Sequence, residues 1–147
     1  MKSSLFVVSW ALLLLLVAAL IFIPVVSAMN AFGKAPDSLT PSYSVQDLEA
    51  TNAEAATAVR GRRVTAATWA LGYGLLALYV VLVPYRRGER WAWWALLLSL
   101  GISQLVSLAR VPVLGTQQGA AASGMLLALL LLGLMTGAPR MFAKSKD

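Results

Sequence analysis

The sequence predicts an all-α integral membrane protein, a four-helix bundle whose second helix extends outside the membrane. Three observations predict it. The 147 residues are 59% hydrophobic and 12% charged, with a mean hydropathy of +0.75, far more apolar than a soluble domain. Four apolar runs reach the about 17 to 25 residues needed to cross roughly 30 Å of hydrocarbon. The six carboxylates, Asp37, Asp47, Glu49, Glu54, Glu89 and Asp147, all fall outside those runs, as the cost of a charge at mid-bilayer requires.

The runs place spans at about residues 5–26, 64–83, 91–110 and 119–136 of a single membrane domain covering 1–147, with an external loop and helix over 29–63. The first follows MKSS, and two readings of it stand. Val26-Ser27-Ala28 has the small residues that signal peptidase favours, whereas an apolar run from Leu5 to Ile23 exceeds a usual signal core of about 7 to 15 residues and favours an uncleaved helix. Pro24 marks the outer end of that helix, since it lacks a backbone donor.

Met29 to Arg63 is the long polar segment. Asn30 to Pro41 carries Gly33, Pro36 and Pro41 and reads as loop. Ser44 to Arg63 is alanine-rich and reads as helix, with Ser44 and Asp47 as a capping-box variant. A second helix is therefore expected from near Val45 to Val83, with Gly61 as its bend. Arg60, Arg62 and Arg63 read as an anchor for lipid phosphates or a contact for an acidic partner subunit.

Pro84 and Tyr85 close that span, and Arg86-Arg87-Gly88-Glu89-Arg90 turns tightly into Trp91, which makes spans two and three antiparallel neighbours. Tyr85, Trp91, Trp93 and Trp94 collect at one interface as amphipathic membrane anchors beside Arg86 and Arg87. Pro112 to Gln118 links to the last span. There, Gly133 and Gly137 form a GxxxG pair, a packing surface for a neighbour in this bundle or in another chain.

With both termini inside, Lys2, Arg86, Arg87, Arg90, Arg140, Lys144 and Lys146 are cytoplasmic, seven basic residues. Lys34, Arg60, Arg62, Arg63 and Arg110, five, are outside. The bias favours cytoplasmic termini. The net charge of +6 sits mostly at span ends and does not form a nucleic-acid patch.

Chemistry is sparse. The chain has no cysteine and no histidine, which removes disulfides, thiolate and imidazole metal ligands, haem ligation by histidine and the usual general base. No cofactor is expected. On a helix turning about 100° per residue, Ser99, Ser103, Ser107 and Arg110 share an arc of about 80° with Gln104 on its flank, and this stripe is expected to face protein. Its polar groups serve either helix packing or an outward-facing pocket between spans two and three.

Thr65, Thr68, Gly72 and Tyr79 lie within about 60° of one another on the second span. If that helix is unbroken, Asp47, Glu54, Ala58 and Gly61 continue the same side. The phase match predicts a Glu54–Arg110 ion pair. The site residues expected on sequence grounds are thus Ser103, Gln104, Ser107, Arg110, Glu54 and Tyr79.

The span layout and the turn RRGERWAWWAL resemble small four-helix bacterial inner-membrane proteins at the edge of the DoxX-like group. The resemblance implies a four-helix bundle of unassigned function and supplies no functional residues. A chain of this length and span number also invites comparison with small multidrug exporters. Those carry a membrane glutamate in their first helix, which Leu5 to Ile23 lacks. The expectation is a non-enzymatic membrane protein, an accessory subunit of a larger complex or a homo-oligomer, whose contacts include membrane lipids. Binding or transport of a small hydrophobic or anionic molecule is the alternative.

Overall fold

A computed structural model describes residues 2–33, 36–40, 42–117 and 119–143. Lys34, Lys144 and Lys146, counted above for orientation, lie outside the described residues. The elements in chain order are α1 (Lys2–Phe32), a short hairpin of β1 (Ser38–Thr40) and β2 (Tyr43–Ser44), α2 (Val45–Thr51), α3 (Ala53–Val80), a π-helical turn (Val81–Tyr85), α4 (Arg90–Leu114) and α5 (Ala120–Met141). Four helices are long and apolar enough to cross a membrane: α1, α3 with its π turn, α4 and α5. The chain is therefore a multi-pass membrane protein by helix length and composition. It divides into two compact units, one of Met1–Ala18 and Leu76–Asp147, the other of Ala19–Leu75.

In the first unit, α4 packs on α5 through residues four apart. Ala92, Leu96, Leu100 and Gln104 are buried on α4, and Ser123, Leu126, Leu130 and Leu134 on α5. The pairing is antiparallel, as the short connection dictates: Gly101 lies against Leu130, Ser107 bonds Ser123, and the Trp93 indole donates to the Leu134 carbonyl. The start of α1 contributes Phe6, Ser9, Leu13, Leu16 and Val17 to the same core. Gly133 admits Leu13, whose side chain lies 2.9 Å from where a Cβ would stand. The GxxxG pair is thus filled by a neighbour in the same chain.

Several boundaries differ from expectation. Helix α1 runs through Pro24 to Phe32; proline removes one hydrogen bond, but an apolar helix keeps the rest because its backbone has no better partner in lipid. Likewise α4 passes Pro112 and ends at Gly115, whose φ of 69° suits a glycine. Part of the expected loop pairs as the hairpin.

The external helix is broken at Asn52, and α3 runs on through Gly61. Asn52 has φ −153° and ψ 89°, and its side chain accepts from Ala55 N at 2.9 Å, capping α3. This break takes Asp47 out of phase with α3. Asp47 is instead committed to the capping box, accepting from Ser44 N at 2.8 Å and Ser44 Oγ at 2.6 Å while Ser44 Oγ accepts from Asp47 N.

The second unit also reassigns the basic cluster. Arg60 pairs with Glu49 at 2.6 Å, and Arg63 pairs with Asp37 and donates to Ser27 at 3.2 Å. Two of the three arginines expected to meet lipid or a partner are therefore tied to this unit's own carboxylates, and Arg62 alone is exposed. Gly74 lets α3 approach α1, with the Leu20 carbonyl 3.0 Å from where its Cβ would stand.

Candidate functional site

The expected polar stripe on α4 proves mostly self-satisfied. Ser99 donates to the Ala95 carbonyl at 2.5 Å and Ser103 to the Leu100 carbonyl at 2.9 Å, and both residues are exposed. A serine hydroxyl that bonds its own helix needs no protein partner in a membrane, so the buried line runs through Ala92, Leu96, Leu100 and Gln104 instead. Gln104 is buried, and Ser107 meets Ser123 of α5 at 2.8 Å. The guanidinium of Arg110 reaches over Gly119, whose φ of 75° and missing Cβ leave it room. Glu54 is exposed in the first turn of α3, and Tyr79 is 59% exposed. The geometry thus brings Ser107 and Ser123 together as a packing contact between the last two helices.

The opposite end of the first unit is more elaborately built. Tyr85, expected as an interfacial anchor, is fully buried. The π turn ending at Tyr85 contains Pro84. A π turn spreads five residues over slightly more than one helical turn, which changes the direction of the side chains that follow it. Tyr85 stacks on Phe6 with centroids 5.7 Å apart and rings 11° from parallel. Its hydroxyl meets Ser9 Oγ at 2.6 Å, and Ser9 Oγ donates to the Gly133 carbonyl at 2.6 Å. Since that oxygen gives its one proton to the carbonyl, Tyr85 is the donor to Ser9. Gly137 completes the seat, because a Cβ there would overlap the Tyr85 hydroxyl.

Beside this buried node lies an open cleft of about 290 Å³ lined by Phe6, Val7, Trp10, Arg86 and Arg140. Arg140 stacks on Phe6 at 3.9 Å, and Arg86 lies 5.6 Å from the Trp10 ring centre. Both guanidinium groups are within cation–π range of a ring. Arg90 fixes the end of α5 from which Arg140 projects, with Nε donating to the Met141 carbonyl at 3.0 Å.

Around the turn, Trp91 and Trp94 are about half exposed, as anchors must be, and Trp91 donates to Glu89 at 2.6 Å. Trp93 is held more deeply, edge-on to Trp94 and Phe142. Arg87 is exposed next to Arg86.

This arrangement can bind an anion. Among the described residues, no group of three His, Cys, Asp or Glu side chains could hold a metal. Sequence reasoning found Arg86 only as an anchor and missed Phe6, Trp10 and Arg140 as a set. The available signal was the four-residue spacing of Phe6 and Trp10 near the end of an otherwise aliphatic run. No family model, curated protein or solved structure matches the chain.

Proposed function

We propose that the protein is a non-enzymatic four-helix subunit of a bacterial inner membrane, with both termini cytoplasmic, that assembles with copies of itself or with a larger membrane complex. The observation that carries this reading is the bare face of α3. Gly61, Thr65, Thr68 and Gly72 are exposed along one side, and nothing lies within 4 Å of a Cβ built on either glycine. Both threonine hydroxyls bond their own helix, to the Gly61 and Val64 carbonyls. The face is therefore small and smooth without unsatisfied groups, the surface that lets two membrane helices approach closely. Trp69 stands beside it at 77% exposure.

Mass measurement after extraction in mild detergent tests the proposal. A dimer, a higher oligomer or a stoichiometric complex is expected. A monodisperse monomer retaining no partner would overturn it.

A further inference from the structure

The cleft between the start of α1 and the ends flanking the π turn and α5 carries an inference independent of self-association. We infer that it is a binding site for an anionic phospholipid, with the phosphate at Arg86 and Arg140 and the upper acyl chain along Val7 and Trp10.

Two unneutralised guanidinium groups share the cleft. Among the described residues neither Arg86 nor Arg140 makes an ion pair or a hydrogen bond; each is held only by an aromatic face. A cation–π contact consumes none of a guanidinium's N–H donors, so those of Arg86 and Arg140 remain available. Those donors form the fork that matches a phosphate oxygen pair. The aromatic rings therefore orient the arginines without satisfying them.

A third donor is close by. Trp10 Nε1 is covered and meets no acceptor among the described residues. A small rotation of the indole would offer it to an ester or phosphate oxygen entering the cleft.

The remaining lining selects a lipid over a soluble anion. Phe6, Val7 and Trp10 lie on a membrane-spanning helix, and Val7 is 61% exposed beside the arginines. A charged pocket joined to an exposed apolar helix surface suits a molecule charged at one end and aliphatic at the other. The base of the cleft is also rigid: Phe6 stacks on buried Tyr85, which is bonded through Ser9 to α5. Arg87, exposed in the same turn but outside the cleft, has the same charge and no such frame.

Native mass spectrometry of the full chain, exchanged from phosphatidylcholine into mixtures containing phosphatidylglycerol, tests the inference. Wild type should retain phosphatidylglycerol in preference to phosphatidylcholine. R86Q/R140Q should weaken that retention about tenfold or more, the scale of losing charge-assisted hydrogen bonds. R62Q/R87Q, which removes the same charge outside the cleft, should stay within about twofold, since screened surface charges contribute little. R140K keeps the charge but loses the fork and should fall between.

Equal retention of both lipids by wild type would overturn the inference whatever the variants do. Equal losses in R86Q/R140Q and R62Q/R87Q would reduce the effect to net charge and overturn it too. Displacement of the bound lipid by inorganic phosphate alone would assign the site to a soluble anion. A monomer that still selects phosphatidylglycerol would remove the proposed assembly and leave the lipid site standing.

Discussion

Replacing Gly137 by alanine tests the buried node beneath the cleft. The new Cβ would overlap the Tyr85 hydroxyl, stand 2.5 Å from Ser9 Oγ and 3.2 Å from Tyr85 Cζ. Tyr85 cannot retreat without unstacking from Phe6, and Ser9 cannot without leaving the Gly133 carbonyl. Overpacking a filled core costs about 1–3 kcal/mol. Loss of the Tyr85–Ser9 bond adds about 0.6 kcal/mol, the average for such bonds between membrane helices.

The helix preference for alanine over glycine returns up to about 1 kcal/mol, so Gly137→Ala should destabilise by about 1–3 kcal/mol overall. Denaturant titration in mixed micelles reads this directly. Tyr85→Phe removes the overlapped oxygen, so Gly137→Ala with Tyr85→Phe should lose less than the sum of the single variants, a coupling of contacting residues. Gly124→Ala, which has open space around its Cβ, is the control and should show only the helix preference, a stabilisation of up to about 1 kcal/mol. Additive losses, or equal effects of Gly137→Ala and Gly124→Ala, would refute the reasoning.

Three further outcomes follow from other parts of the chain. Ser107→Ala should cost about 0.6 kcal/mol and at most about 1.7, whereas Ser99→Ala and Ser103→Ala should be near neutral by the same titration, because only Ser107 bonds another helix. The Asp47 carboxyl is held below its ordinary value by the Ser44 hydroxyl and then the Ser44 amide. Its contribution is thus present above the unfolded carboxylate value, about 3.9, and is lost as pH falls through the lower folded value. Amide exchange at the start of α2 should speed up over that acid window, and Ser44→Ala, which loses the hydroxyl but keeps the backbone amide, should reduce the dependence without abolishing it.

The chain lacks cysteine, so single cysteines report topology cleanly. With cytoplasmic termini, Gln117→Cys should react with an impermeant maleimide in intact cells. Arg87→Cys should react only after permeabilisation.

The four long helices were legible because a bilayer demands a run of apolar residues that composition displays directly. Helix ends were less so. Pro24 and Pro112 read as stops by soluble-helix rules, yet both lie inside helices. The capping pair Ser44 and Asp47 was readable from spacing, but Asn52 competes locally as a cap and breaks the helix that periodicity carried on toward Val83. That break separates Asp47 from the face of α3.

The polar stripe misled for a related reason. Angular phase places Ser99, Ser103 and Ser107 together, but phase does not show whether a hydroxyl bonds its own helix or another. Tyr85 misled because aromatic residues beside a basic turn usually sit in the interface. Here the π turn, a backbone insertion without a sequence signature beyond Pro84, accompanies a fully buried ring. The cleft joins residues 6, 10, 86 and 140, and such distant positions converge only in the folded chain. The GxxxG spacing did mark where another element approaches α5, without naming α1 or Tyr85.

Oxidative cross-linking of Gly72→Cys in native membranes tests the proposed assembly most directly. The introduced side chain has open space, and no native thiol competes. The account predicts a disulfide-linked dimer, each copy supplying one thiol, at a yield well above that of Val106→Cys on the exposed surface of α4. Equal yields at the two positions, or no product from Gly72→Cys, would contradict it.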